Sequence, residues 1–226
     1  MRRGSLFLWD IRFQAKYGFY FLYAALTVIY GVVLFAVPEG WREKTAAILI
    51  FSDPASMGLF FMGAIVLLEK SQHIPCAFAV SPVRAAEYIA AKVGALSAIS
   101  LVVAAVLAMA ADVDNIPVVL LGTALSSVVF SLMGIIIATK IGSLNQFILW
   151  TVPVEIACFV PGILHLFRIT PAWFQYYPTN ICMDMIAGRV PSATGIFSVA
   201  ALTAILGILS KKRVLKMWSS VGGVKL

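Results

Sequence analysis

Long apolar runs with almost no charge inside them recur along this chain, and they constrain the fold more than any other feature. A run of about 17 residues or more without charge is long enough to cross a hydrocarbon layer as a helix. Once water is gone, every backbone N–H and C=O must find a partner within the segment or in a closed barrel. Barrel strands would alternate apolar and polar residues over about ten positions, and no such alternation is present. Only 12% of the 226 residues are charged, against about 25% in soluble domains, which excludes an aqueous globule. The fold class that follows is an all-α integral membrane protein.

Six membrane-spanning helices are expected, at roughly 18–37, 54–70, 93–111, 117–138, 146–166 and 194–210. The second apolar run begins near Ala46 but contains Ser52-Asp53-Pro54. Asp is a favoured helix N-cap and Pro suits the first helical position. That helix is therefore expected to start at Pro54, with Asp53 as its cap and 46–52 as an outer interfacial piece.

Lys and Arg in short loops set the orientation. With the N-terminus inside, outer segments hold only Arg42, Lys44, Arg168 and Arg189 of the 17 basic residues. The inner side takes the rest, including Lys70, Arg84, Lys92, Lys140 and the tail from Lys211 to Lys216. Both termini are thus expected in the cytoplasm. The net charge of +7 is accounted for by topology and attraction to lipid headgroups, and no nucleic-acid partner is implied. Cys76, Cys158 and Cys182 fall in an inner loop, a span and an outer segment, so no disulfide is expected. Asp10 and Arg12 interrupt the first apolar stretch, which does not fit a signal peptide.

Several polar positions invite a function. Leu6, Trp9, Phe13 and Tyr17 recur at helical spacing, while Arg3, Asp10, Gln14 and Lys16 supply a polar side. Residues 1–17 therefore suit an amphipathic helix in the inner interface, the alternative being a disordered basic leader. The stretch from Glu69 to Lys92 is a charged, proline-interrupted loop between two spans. Glu155 lies deep in the fifth span between Pro153 and Pro161. A carboxylate there either lines a translocation path or is protonated and bonded to backbone freed by the prolines. Small residues Thr123, Ser127, Ser131, Gly134 and Ala138 form a stripe along the fourth span, with Ala90, Gly94 and Ala98 along the third. Such stripes let helices approach closely, within the chain or between subunits. The segment 167–193 is dense in aromatics and prolines, consistent with short helices in or dipping into the outer leaflet.

Enzyme chemistry finds little support. Gly134 to Lys140 lacks the second glycine of a phosphate-binding loop. His73 and Cys76 form a lone His-x-x-Cys where zinc wants three or four ligands, so no metal is expected. His165 has no Ser, Cys or acid at a catalytic spacing.

The chain resembles ABC-2 type transporter permeases. The resemblance rests on the N-terminal amphipathic helix and on Leu68-Glu69-Lys70 followed by Ser81-Pro82-Val83-Arg84 and Glu87-Tyr88. It rests also on Pro161-Gly162 breaking the fifth span and on Tyr177-Pro178-Thr179-Asn180. Trp9-Asp10-Ile11-Arg12 and Tyr17-Gly18-Phe19-Tyr20 bring it nearest to drug or fluoroquinolone exporter permeases. One difference is that Gln72-His73-Ile74-Pro75 follows the acidic-basic pair where many members have Gly-Thr. The resemblance implies a multidrug-efflux-type subunit in the bacterial cytoplasmic membrane that dimerises with itself or a related permease. It implies ATPase subunits that carry ATP and Mg, with no cofactor on this chain. The coupling residues it implies are Glu69, Lys70, Ser81, Pro82, Arg84 and Glu87, together with Trp9, Asp10 and Arg12 of the interfacial helix; the alternative for these charges is solvation at the membrane surface. An ATP-independent secondary transporter or channel is the competing expectation for the whole chain.

Overall fold

The computed structural model describes residues 2–52 and 57–221. Nearly all of this is helix, and no strand occurs among the described residues. The order is α1 (Arg2–Lys16), α2 (Phe19–Ala36), α3 (Glu39–Ile50), α4 (Met57–Ser71), α5 (Ile74–Ala79), α6 (Ala85–Ala110), α7 (Ile116–Lys140) and α8 (Leu144–Leu166). A 3₁₀ turn (Ala172–Tyr176) then leads to α9 (Pro178–Ile186) and α10 (Ala193–Val221). Five helices, α2, α6, α7, α8 and α10, are long and apolar enough to cross a bilayer. The chain is a multi-pass membrane protein. The expected span at 54–70 corresponds to α4, of which the 15 residues Met57–Ser71 are described. Asp53 and Pro54, the expected cap and first turn, lie outside the described residues.

α7 is the axis of the bundle, in contact with α4, α6, α9 and α10. Its small residues are the reason. A Cβ on Gly134 would stand 2.5 Å from the Leu59 carbonyl oxygen of α4, and one on Gly122 would stand 2.6 Å from Cβ of Met185 in α9. Ser127 meets Ser97 of α6, Oγ to Oγ at 3.1 Å. The Ser210 hydroxyl of α10 donates to the Leu132 carbonyl at 3.2 Å. Thr123 and Ser126 donate to carbonyls one turn back in α7 itself, which satisfies their hydroxyls in a dry interior. The stripe read from the sequence thus packs within the chain. The α6 stripe is divided: Gly94 faces the Phe7 ring of α1, while Ala98 lines a groove between α2 and α6.

Three boundaries differ from expectation, each because helices continue through charge and polarity when one face is buried. α3 begins at Glu39 and runs to Ile50, sending Ala46, Ala47 and Ile50 into the core. α6 starts eight residues before position 93, at Ala85, because Tyr88, Ile89 and Lys92 are buried. α10 passes Lys211 and Lys212 to Val221, with Val214, Met217 and Trp218 on a buried face. In the 167–193 segment, α9 is drawn into the core through Ile181, Cys182, Met183, Met185 and Ile186, while Trp173 remains exposed.

Candidate functional site

The main polar cluster lies where α1, the end of α4 and the start of α6 meet. Tyr88 and Lys92 are four residues apart on α6, so one helical face presents both. Glu69 is one residue before the last turn's Lys70 on α4, and Asp10 projects from the middle of α1. The Lys92 ammonium donates to Glu69 Oε1 at 2.6 Å and to Asp10 Oδ1 at 3.0 Å. The Tyr88 hydroxyl donates to the other Glu69 oxygen at 2.6 Å. Lys92 Nζ also stands 4.9 Å from the Tyr88 ring centroid. All four residues are buried, Lys92 at 2% and Glu69 at 1% relative exposure.

Charge-assisted hydrogen bonds of this length are the stronger kind, and removing one partner of a buried pair leaves an uncompensated charge. Two carboxylates share one ammonium here. Burial raises the Asp10 carboxyl above its ordinary range; attraction to Lys92 opposes this and the nearby Glu69 adds to it.

Neighbouring side chains extend the junction. Phe78 of α5, Tyr88 and Trp218 of α10 form a ring cluster with centroids 5.2 to 5.7 Å apart. The Lys70 ammonium reaches the carbonyls of Ala138 at 3.0 Å and Ile141 at 2.6 Å, neutralising the negative end of α7 as a C-terminal cation does. Between α5 and α6, Ser81 Oγ donates to the Phe78 carbonyl at 3.0 Å and accepts from the Val83 N–H at 3.3 Å. The Arg84 N–H donates to Glu87 Oε2 at 3.2 Å, which closes the first turn of α6. Arg84 and Pro82 are exposed and Glu87 is half-buried. Ser81, Arg84 and Glu87, with Lys211 and Trp218, border a groove of about 520 Å³.

The structure therefore divides the expected coupling residues. Ser81, Pro82, Arg84 and Glu87 lie together on an accessible rim. Glu69 lies inside, committed to Lys92 and Tyr88, and Lys70 is committed to α7. On α1, Trp9 and Arg12 are exposed, but Asp10 and Gln14 are buried. These two do not belong to an outward polar side, because α6 supplies Asp10 with a partner. Tyr88 and Lys92 carry more of the site than the sequence signalled. Their spacing, with a cation inside the first turns of a span, was the available hint.

A second cluster joins α8 to α9. His165 Nε2 is 2.8 Å from Asp184 Oδ2, His165 Nδ1 is 3.0 Å from Thr170 Oγ1, and Arg189 donates to Asp184 Oδ1 at 2.9 Å. The acid missing from sequence spacing arrives from nineteen residues away. Nearby, Pro161 cannot donate to the Ala157 carbonyl one turn back, and the Tyr177 hydroxyl donates to it instead at 3.3 Å. Glu155 is half-buried on α8 and has no hydrogen bond or ion pair among the described residues. The residues flanking it on one face, Val152, Ile156 and Val160, are exposed. Among the described residues no three His, Cys, Asp or Glu side chains converge as a metal site.

Among the described residues, the buried charges of this polytopic helical membrane protein fasten its helices to one another. Residues 3–205 match the fluoroquinolones export permease protein family, and the chain belongs to that family. Two fluoroquinolones export permease proteins of Mycobacterium tuberculosis, from strains CDC 1551 / Oshkosh and ATCC 25618 / H37Rv, are each 39% identical over 90 residues. The match spans 39% of this chain and 38% of each relative, well under half of either.

Proposed function

We propose that this chain is the membrane subunit of an ATP-binding cassette exporter of the ABC-2 type. In this reading six spans, counting α4, leave both termini on one side of the membrane, and the Lys and Arg of the inner loops make that side the cytoplasm of a bacterial cell. Two protomers, identical or related, assemble with ATPase subunits that bind ATP and Mg. The cargo is a hydrophobic or amphipathic molecule (a drug, a peptide antibiotic or a lipid), with the fluoroquinolones named by its family as the first class to test.

The observation that carries this reading is the four-residue cluster of Asp10, Glu69, Tyr88 and Lys92. It fastens α1, α4 and α6 into one body directly behind the accessible rim at 81–87. ATP does work on a permease only by favouring one of its states over another. A partner pressing on the rim moves all three helices because they share one ammonium. In this scheme Arg84 and Glu87 contact the ATPase, Ser81 and Pro82 hold the corner, and Trp9 and Arg12 anchor α1 at the interface. Glu69 and Lys70 position helices from within. Glu155 supplies the polar point on the path, since no side chain among the described residues pairs with it.

Glu87→Lys is expected to weaken copurification with the ATPase or to uncouple hydrolysis from transport. Drug transport by the purified chain in vesicles, driven by an ion gradient without ATP, would overturn the proposal in favour of a secondary transporter. Glu155→Gln should impair transport while expression and assembly persist; normal transport by that variant removes Glu155 from the path.

A further inference from the structure

We infer a binding site for the phosphate of an anionic phospholipid between the end of α7 and the basic stretch of α10. The cavity, of about 280 Å³, is lined by Thr139, Lys140, Arg213, Lys216 and Met217. Three cations converge there without a carboxylate in the lining. None of the three has an ion pair among the described residues.

The C-terminal end of a helix would ordinarily repel an anion. Here the Lys70 ammonium already holds the carbonyls of Ala138, Thr139 and Ile141, so the end of α7 is neutralised from its other side. What remains facing the cavity is positive. Arg213 gives a guanidinium with several N–H donors, and Lys140 and Lys216 give mobile ammonium groups, a set suited to phosphate oxygens.

The level in the membrane selects a lipid over a dissolved anion. Lys140 ends a spanning helix, and on α10 an apolar run gives way at Lys211 to the basic stretch, the pattern of a headgroup boundary. Leu209 and Ile205 lie four and eight residues before Arg213, on the same helical stripe. Both are exposed. A phosphate held by Arg213 and Lys216 would leave its acyl chains against these side chains. Basic pockets between spanning helices hold anionic headgroups in this way.

The test is lipid binding by the purified full-length chain in mild detergent, read by native mass spectrometry. The probes are phosphatidylglycerol, phosphatidylcholine and inorganic phosphate. Phosphatidylglycerol should bind in preference to phosphatidylcholine, and the pair Arg213→Gln with Lys216→Gln should weaken it about thirtyfold, roughly fivefold per cation. The pair Lys211→Gln with Lys212→Gln removes the same charge outside the cavity and should change binding little. The pair Arg213→Lys with Lys216→Arg keeps the charge and should retain the lipid, which guards against loss of fold as the explanation. Equal losses in the two Gln pairs, or no preference over phosphatidylcholine, would overturn the site. Displacement of phosphatidylglycerol by inorganic phosphate at similar concentration would overturn the lipid assignment. None of these outcomes depends on the ATPase, so the exporter proposal is tested separately.

Discussion

The Lys92 cluster and the His165 cluster use similar chemistry under opposite conditions. Each joins helices through a carboxylate that accepts from two side chains or through a cation that donates to two. The side chains of Lys92, Glu69 and Asp10 are 2%, 1% and 7% exposed, whereas those of His165, Asp184 and Arg189 are 15%, 20% and 39% exposed. In the first, neither protein nor solvent can replace a lost partner. In the second, water and salt can. Burial, more than bond length, separates a rigid joint from an adjustable clip. The rigid one stands behind the rim proposed to receive the ATPase.

The largest effect is expected from Lys92→Met. It strands two carboxylates in the interior, and breaking a buried ion pair in this way costs about 3–5 kcal/mol. Thermal unfolding in detergent should show it as a lower melting temperature and a reduced folded yield. The triple variant Lys92→Met, Glu69→Gln, Asp10→Asn removes the stranded charge and should recover most of that loss, because the penalty lies in unpaired charge and not in missing attraction. A single variant that melts like the parent would show that the cluster is open to water.

Asp184→Asn should have a smaller effect, about 1 kcal/mol, as for partly exposed ion pairs. Its cost should shrink further as salt rises, since exposed pairs are screened over about 10 Å at 0.1 M. The Lys92 variant should show no such salt dependence. The paired measurement is melting temperature for both variants at low and high ionic strength. Equal salt sensitivity would erase the distinction between joint and clip.

The five long apolar helices were legible because hydrocarbon thickness and backbone hydrogen bonding leave a long apolar run few alternatives. The close-packed stripe on α7 was legible for a related reason: Ser127, Ser131 and Gly134 have no large side chain to keep α4 and α6 away. Helix ends were harder to read. Charge marks where a lipid boundary falls, but a helix stops only where its backbone turns, so α6 starts early at Ala85 and α10 runs on through Lys211. The joint itself was least legible. Asp10 and Lys92 are 82 residues apart, and nothing local tells a carboxylate on an interfacial helix that its partner arrives from α6. The same holds for His165 and Asp184, which meet only because α9 folds back beside α8.

The smallest expected effect concerns the excess negative charge in the rigid joint. Asp10 is raised above its ordinary value of 3.8 by burial, with Lys92 opposing and Glu69 contributing. A carboxyl whose docked value exceeds its free value binds its proton more tightly when docked. Its contribution to docking of α1 is therefore fully present below about 3.8 and is lost as pH rises through the higher docked value. Protonation of Asp10 removes the negative charge whose burial is costly in a dry site. Backbone hydrogen exchange of α1, corrected for intrinsic rates, should show greater protection near pH 4 than near pH 7. Asp10→Asn should flatten that profile by removing the carboxyl that titrates. Protection that instead grew with pH would mean that attraction to Lys92 outweighs the cost of burial, and that the joint tightens when it carries both negative charges.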